Sequence, residues 1–131
     1  MTYHQFVNTF TYMQISGCTA PRGHEAPDPS DAIPDPTQAG SLAEMFRLLG
    51  DPTRVRILYA LLEAGELGVC DVADAVDTTE TKVSQAMRLL RSAGVVRNRR
   101  SGRNIFYRLD DAHIRLILDL SREHVAHLEA S

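Results

Sequence analysis

Near the C-terminus, Asp111, His113, His124 and His127 follow one another in the pattern D-x-H-x10-H-x2-H. One carboxylate and three imidazoles are the oxygen and nitrogen donors of a tetrahedral divalent-cation site, which suits Zn(II), with Co(II) or Ni(II) as competitors. The spacing of apolar residues from Asp110 to about Leu128 predicts one continuous helix. On such a helix His113 and His124 are about 1100° and roughly 16 Å apart, so they share a side but cannot meet at one ion. Two copies packed antiparallel, about a two-fold axis near residue 119, place Asp111 and His113 of one opposite His124 and His127 of the other. The pattern therefore predicts a homodimer with two identical sites, with Ile114, Ile117, Leu118, Leu120, Val125 and Leu128 supplying its apolar contacts.

The other donors form no comparable set. Cys18 and Cys70 make no C-x-x-C pair. Cys18, His24, Cys70 and Asp71 compose a candidate second metal site, against which stands the plainer expectation of a buried, inert Cys70. No H-E-x-x-H, G-x-S-x-G or phosphate-binding loop is present, so a zinc hydrolase built on the three histidines lacks a general base.

The stretch around which the chain is organised runs from Val69 to Leu109. Val69, Val72, Ala73 and Val76 have the i, i+3, i+4, i+7 spacing of a short helix with one buried stripe. Asp77 and Thr78 interrupt it, and Thr79 N-caps a second helix whose inward residues are Val83, Ala86, Met87 and Leu90 and which Gly94 ends. Two helices joined by so short a turn read as a helix-turn-helix, the second able to lie in a DNA major groove. Val95 to Arg97 and Ile105 to Arg108 are β-prone and flank a basic, glycine-containing tip, the pattern of a hairpin wing. Lys82 to Arg108 holds eight of the fourteen Lys and Arg residues and no Asp or Glu, although the chain carries a net charge of −3. Positive charge is thus gathered into one element, as nucleic-acid binding requires. Thr79, Lys82, Ser84, Gln85 and Arg88 are placed to reach base edges or nearby phosphates, and Arg99, Arg100 and Arg103 to follow the backbone or enter the minor groove.

From Ser41 onward the chain resembles the ArsR/SmtB family of winged-helix, metal-responsive bacterial repressors. The resemblance is carried by LLGDPTRVRIL (48–58), ELGVCDVA (66–73), VSQAMRLLRSAGVV (83–96) and RSGRNIFYRL (100–109). It implies a mainly α fold with a small β-hairpin, a homodimeric winged helix-turn-helix. It also implies a repressor that binds operator DNA without metal and is released when Zn(II), Co(II) or Ni(II) fills sites on the C-terminal helices; a cytoplasmic location is expected from the unpaired Cys18 and Cys70 and the lack of a secretory signal. The family's C-terminal-helix site matches Asp111, His113, His124 and His127 one by one. Three positions depart from the pattern: Thr78 stands where the family is often apolar, Asp77 where it often has Gly, and Gln85 where it often has His. Asp tolerates a left-handed turn, so these departures bear on DNA sequence preference rather than on the fold. Gly68 stands where soft-metal sensors often have a cysteine, which leaves the second site without paired thiolates. The alternatives are a regulator of the same fold that answers to oxidation of Cys18 or Cys70 or to another ligand, and a metal-buffering protein, for which the basic wing would have no purpose.

At 131 residues and 44% apolar composition the chain supports one domain of modest core. Residues 1–40 read as a mobile extension: five of the six prolines fall between Pro21 and Pro36, with Asp28, Asp31 and Asp35 among them. The aromatic-rich opening from Thr2 to Met13 is compatible with a strand or a helix against a partner. No secretory signal is expected, because residues 1–20 lack a basic start and an unbroken apolar run. Residues 41–131 read as the DNA-binding and dimerisation domain. Ser41 to Glu44 reads as a capping box that opens a helix burying Leu42, Met45, Phe46 and Leu49. Asp51 and Pro52 open the next, with Val55, Leu58, Tyr59 and Leu62 inward and Arg54 and Arg56 pairing with acids or phosphate.

Overall fold

A computed structural model describes residues 28–131, and the chain divides into two units between Asp35 and Pro36. The described part of the first unit contains one short helix, α1 (Pro29–Ala32), capped by Asp28, whose carboxylate accepts the Ser30 N–H at 3.0 Å. The aromatic-rich opening lies outside the described residues.

The second unit runs α2 (Pro36–Leu49), α3 (Pro52–Ala64), β1 (Leu67–Gly68), α4 (Val69–Ala75), α5 (Glu80–Ser92), β2 (Val96–Ser101), β3 (Asn104–Leu109) and α6 (Ala112–Glu129). This is a winged helix-turn-helix: α4 and α5 are the helical pair, and the antiparallel sheet, in the order β1-β3-β2, is the wing. Its core is formed where α3, α4 and α5 meet. Ile57, Leu58 and Leu61 of α3, Val72 of α4, and Val83, Met87 and Leu90 of α5 have no solvent exposure. Each such side chain contributes about 1.5–3 kcal/mol by leaving water.

The helix starts obey local rules. Asp51 caps α3 by accepting the Arg54 N–H at 3.0 Å, with Pro52 in the first turn. Thr79 caps α5 through the Lys82 N–H at 3.1 Å. Between α4 and α5 Asp77 adopts φ 52°, the left-handed conformation that a short polar side chain tolerates.

Several expectations are corrected. Ser41 does not open a helix: α2 already begins at Pro36, inside the stretch read as extension, and the Ser41 hydroxyl donates to the Thr37 carbonyl one turn back, at 3.3 Å. Helix α2 fully buries none of its residues: Met45 and Leu49 are half-buried, Leu49 against the core, while Leu42 and Phe46, the latter 61% exposed, are left uncovered by the described residues. In α3 the inward stripe is rotated to Ile57, Leu58, Leu61 and Leu62. Tyr59 stays at the rim, where its hydroxyl donates to the Leu118 carbonyl at 2.6 Å and its ring carries Arg122 at 5.0 Å. Arg54 and Arg56 pair with the carbonyls of Leu48 and Val76 rather than with acids or phosphate. In α6, Ile114 and Leu118 enter this chain's own core, while Leu116, Leu120, Val125 and Leu128 stay exposed. The wing strands are longer than expected: Asn98 to Ser101 and Asn104 are paired, Ser101 faces Asn104, and only Gly102 and Arg103 form the tip.

Two glycines test this account. Gly40 lies inside α2 and Gly94 just past α5 at φ +72°, and a Cβ would meet nothing within 4 Å at either. Gly40→Ala is expected to stabilise by about 0.5–1 kcal/mol, through helix propensity. Gly94→Ala is expected to destabilise by about 1–2 kcal/mol through the left-handed backbone alone. Urea unfolding of both variants checks the opposite signs.

Candidate functional site

Helix α5 has two unlike faces. Val83, Ala86, Met87 and Leu90 fix one against the core, while Lys82, Ser84, Gln85 and Arg88 are exposed, as is Thr79 at the cap. The Thr79 oxygen accepts the Lys82 amide, which leaves its hydroxyl hydrogen free to donate outward. Arg91, also exposed in the last turn, extends the basic edge.

On the wing the arginines separate into two kinds. Arg99 is held: its Nε and Nη2 donate to Glu66 Oε1 at 2.8 and 2.6 Å, and its guanidinium lies 4.9 Å over the ring of Phe106, its cross-strand partner. The arginine holds the Glu66 carboxyl below its ordinary pKa, and Glu66 in turn raises that of Arg99. Arg99 thus serves the wing's attachment to the body, and its positive charge is matched locally. Arg100, near the end of β2, donates to the Gly102 carbonyl at 3.3 Å, and both it and Arg103 at the tip are exposed. No sequence signal marks Glu66 as a partner, since it lies 33 residues away. Arg97 is paired as well, its Nε donating to Asp110 Oδ1 at 2.7 Å.

The four donors of the C-terminal helix are all exposed. Asp111 is the N-cap of α6, its Oδ1 accepting the amides of His113 at 2.8 Å and Ile114 at 3.2 Å. These bonds, that of Ile114 foremost, lower its carboxyl pKa and keep it ionised, the form a metal needs. His113 Nδ1 lies 3.5 Å from the same oxygen, and the side chain is 87% exposed. His124 and His127 lie on the far turns, so the chain brings the pairs together only as Asp111 with His113. Among the described residues, no three His, Cys, Asp or Glu side chains of one chain converge on a metal position. The donor set fits a divalent cation in its chemistry.

Cys70 is exposed, which corrects the expectation of burial. Its thiol pKa is raised by a hydrogen bond to Glu80, then by the negative charge of Asp74 and Glu80, so the proton is retained by acidic neighbours rather than by an apolar setting. Asp71 is exposed beside it. Cys18 and His24 lie outside the described residues. No helix among the described residues is long and apolar enough to cross a membrane.

A family model described as bacterial regulatory protein, arsR family, matches residues 51–98. A transcriptional repressor SmtB homolog from Synechocystis sp. is 45% identical over 94 residues, 72% of this chain and 68% of that protein. The crystal structure of the AntR antimony-specific transcriptional repressor is similar with a TM-score of 0.70 at 29% identity, covering 88% of this chain and 100% of that one. The solution structure of a homodimeric winged helix-turn-helix DNA-binding domain from Mycobacterium bovis has a TM-score of 0.66 at 25% identity, covering 83% and 96%.

The Glu66 and Arg99 pair sets a pH expectation. A carboxyl whose folded pKa is depressed contributes stability that is present above its unfolded value, about 4.3, and lost as pH falls through the lower folded value. Glu66→Gln is therefore expected to be less stable than the natural chain at pH 7 and equal to it once both carboxyl forms are protonated. Chemical unfolding across that range checks it, and a difference that widens toward acid contradicts it.

Proposed function

We propose that this chain, which belongs to the ArsR family of bacterial regulatory proteins, is a homodimeric repressor released from its operator by a divalent metal. That family consists of transcriptional regulators, not enzymes. The unit Pro36–Ser131 serves as the DNA-binding and dimerisation domain. Zn(II), with Co(II) or Ni(II) as alternatives, is held by Asp111 and His113 of one subunit and by His124 and His127 of the other.

The observation that carries this reading is the exposure of all four donors on one helix beside an uncovered apolar stripe. Leu116, Leu120, Val125 and Leu128 of α6, with Leu42 and Phe46 of α2, are large apolar side chains left in solvent by a single chain. A second copy covers them and brings the missing half of each ligand set. The similar proteins lend support: two are repressors, one of them antimony-specific, and a third is a homodimer. Bound there, the ion supplies charge and a fixed ligand geometry that join the subunits. The spacing of the two α5 helices is the quantity that decides whether both reach successive major grooves. The thiol-oxidation reading is weaker, because the acidic neighbours of Cys70 suppress its thiolate.

DNA is read by Thr79, Lys82, Ser84, Gln85 and Arg88, with Arg100 and Arg103 supplying phosphate or minor-groove contacts. Arg99 contributes chiefly by holding the wing in place.

Subunit mixing tests the metal site. A His113→Ala homodimer and a His124→Ala homodimer each carry two damaged sites, whereas their heterodimer carries one doubly damaged and one intact site. Titration with Zn(II) is expected to show tight binding restored at half stoichiometry in the isolated heterodimer; intact binding by both mutant homodimers sinks the assignment. For DNA, Arg100→Ala is expected to weaken all duplexes and lower the slope of log affinity against log salt by about 0.9. Gln85→Ala is expected to change sequence preference with the slope retained.

A further inference from the structure

Asp110 stands between the last residue of β3, Leu109, and the cap of α6, Asp111. Its backbone N–H donates to the Val95 carbonyl at 3.0 Å, and its Oδ1 accepts from Arg97 Nε at 2.7 Å. Val95 is itself buried, and its own N–H donates to the Leu90 carbonyl at 2.9 Å, at the end of the DNA-reading helix. One unbroken series of bonds therefore runs from α5 through Val95 to Asp110. The next residue, one peptide unit or about 3.8 Å along the chain, is a metal-ligand candidate whose Oδ1 already fixes the first turn of α6.

The Arg97 contact has its own electrostatic reason. Arg97 faces Arg108 directly in the β2 and β3 register, and like charges directly opposite repel. The Asp110 carboxylate places a negative charge beside one of them. A shift of the first turn of α6 that carried Asp110 away would expose that repulsion at the base of the wing.

We propose that Asp110, through its bridge to Arg97, is the positioning residue that couples the ligand helix α6 to the wing and the DNA-reading helix. This rests on the metal-responsive reading above, and its reach is residue-specific. The wing has a second ion pair of matched exposure: Arg97 and Asp110 side chains are 54% and 27% exposed, Arg99 and Glu66 56% and 28%. Only the first is bonded to the chain entering α6. If coupling travels through Asp110, breaking the two pairs has different effects, although both loosen the wing.

The test uses the full chain and Zn(II). For each protein, operator affinity is measured with and without the ion, and Zn(II) affinity with and without operator; by linkage the two ratios are equal. Asp110→Asn and Arg97→Gln are each expected to keep the zinc stoichiometry while the ratio falls about two- to fivefold, the range for a partly exposed ion pair. The double variant is expected to fall no further than either single one, because both remove the same contact. Glu66→Gln is expected to leave the ratio at its natural value, and Asp110→Glu to restore most of it. Should Asp110→Asn fail to fold, Arg97→Gln breaks the same bridge from its more exposed side. A natural ratio in both Asp110→Asn and Arg97→Gln, or an equal fall in Glu66→Gln, overturns the proposal while the metal-responsive reading stands. A natural chain whose operator affinity is indifferent to zinc overturns both.

Discussion

The shared burial of α3, α4 and α5 in one small core constrains everything else in this protein. Leu58, Val72, Met87 and Leu90 meet with no solvent exposure, and they belong to three different helices. Close-packed side chains of this kind resist small displacements, so α5 cannot rotate or slide independently of its neighbours. Its polar face is thereby presented as a rigid object. A displacement passed to α5 is thereby shared with the helices packed against it.

That core is also the reason the terminal helices look unfinished. Helix α2 contributes no buried residue, and α6 contributes only Ile114 and Leu118, one edge of an eighteen-residue helix. The Tyr59 hydroxyl on the Leu118 carbonyl and the Arg122 stack on Tyr59 hold α6 by its middle, with its outer stripe left to water. A chain of this size has too little interior to accept those side chains as well. In the reading proposed above, the uncovered stripe and the exposed donors form one surface, which a second subunit covers.

The sequence made the helix-turn-helix legible because helical periodicity and capping are local. Val83, Ala86, Met87 and Leu90 fall at the spacing that defines one helix face, and Thr79 sits where a cap must be. Asp77 takes the left-handed turn that its side chain allows. What periodicity cannot state is who covers an apolar face: Leu42 and Phe46 have the same pattern as Leu58 and Leu61, yet only the latter are buried by this chain. Long-range pairs were equally silent. Leu67 and Gly68 form a strand only because Tyr107 and Phe106 arrive beside them, and Glu66 becomes a partner of Arg99 by the same approach. Ser41 misled for a converse reason, since a serine that bonds back to Thr37 inside a helix looks in sequence like one that starts it. For the candidate site, the donor types and their distribution along one helix were readable, whereas the diversion of Arg99 to Glu66 and the exposure of Cys70 depended on the fold.

The short strand β1 carries a consequence for how the chain assembles during synthesis. β2 and β3 are joined by a two-residue turn and can pair as soon as both have been made, whereas β1 must wait about forty residues for Phe106 and Tyr107. Loop closure over that length becomes affordable only after α4 and α5 have folded and shortened the gap. The sheet is therefore the part of the winged helix-turn-helix that waits longest for its last partner. Helix α6 begins at Ala112, directly after β3 ends at Leu109, so the strand that completes the sheet and the helix on which we place the partner and the metal are made back to back.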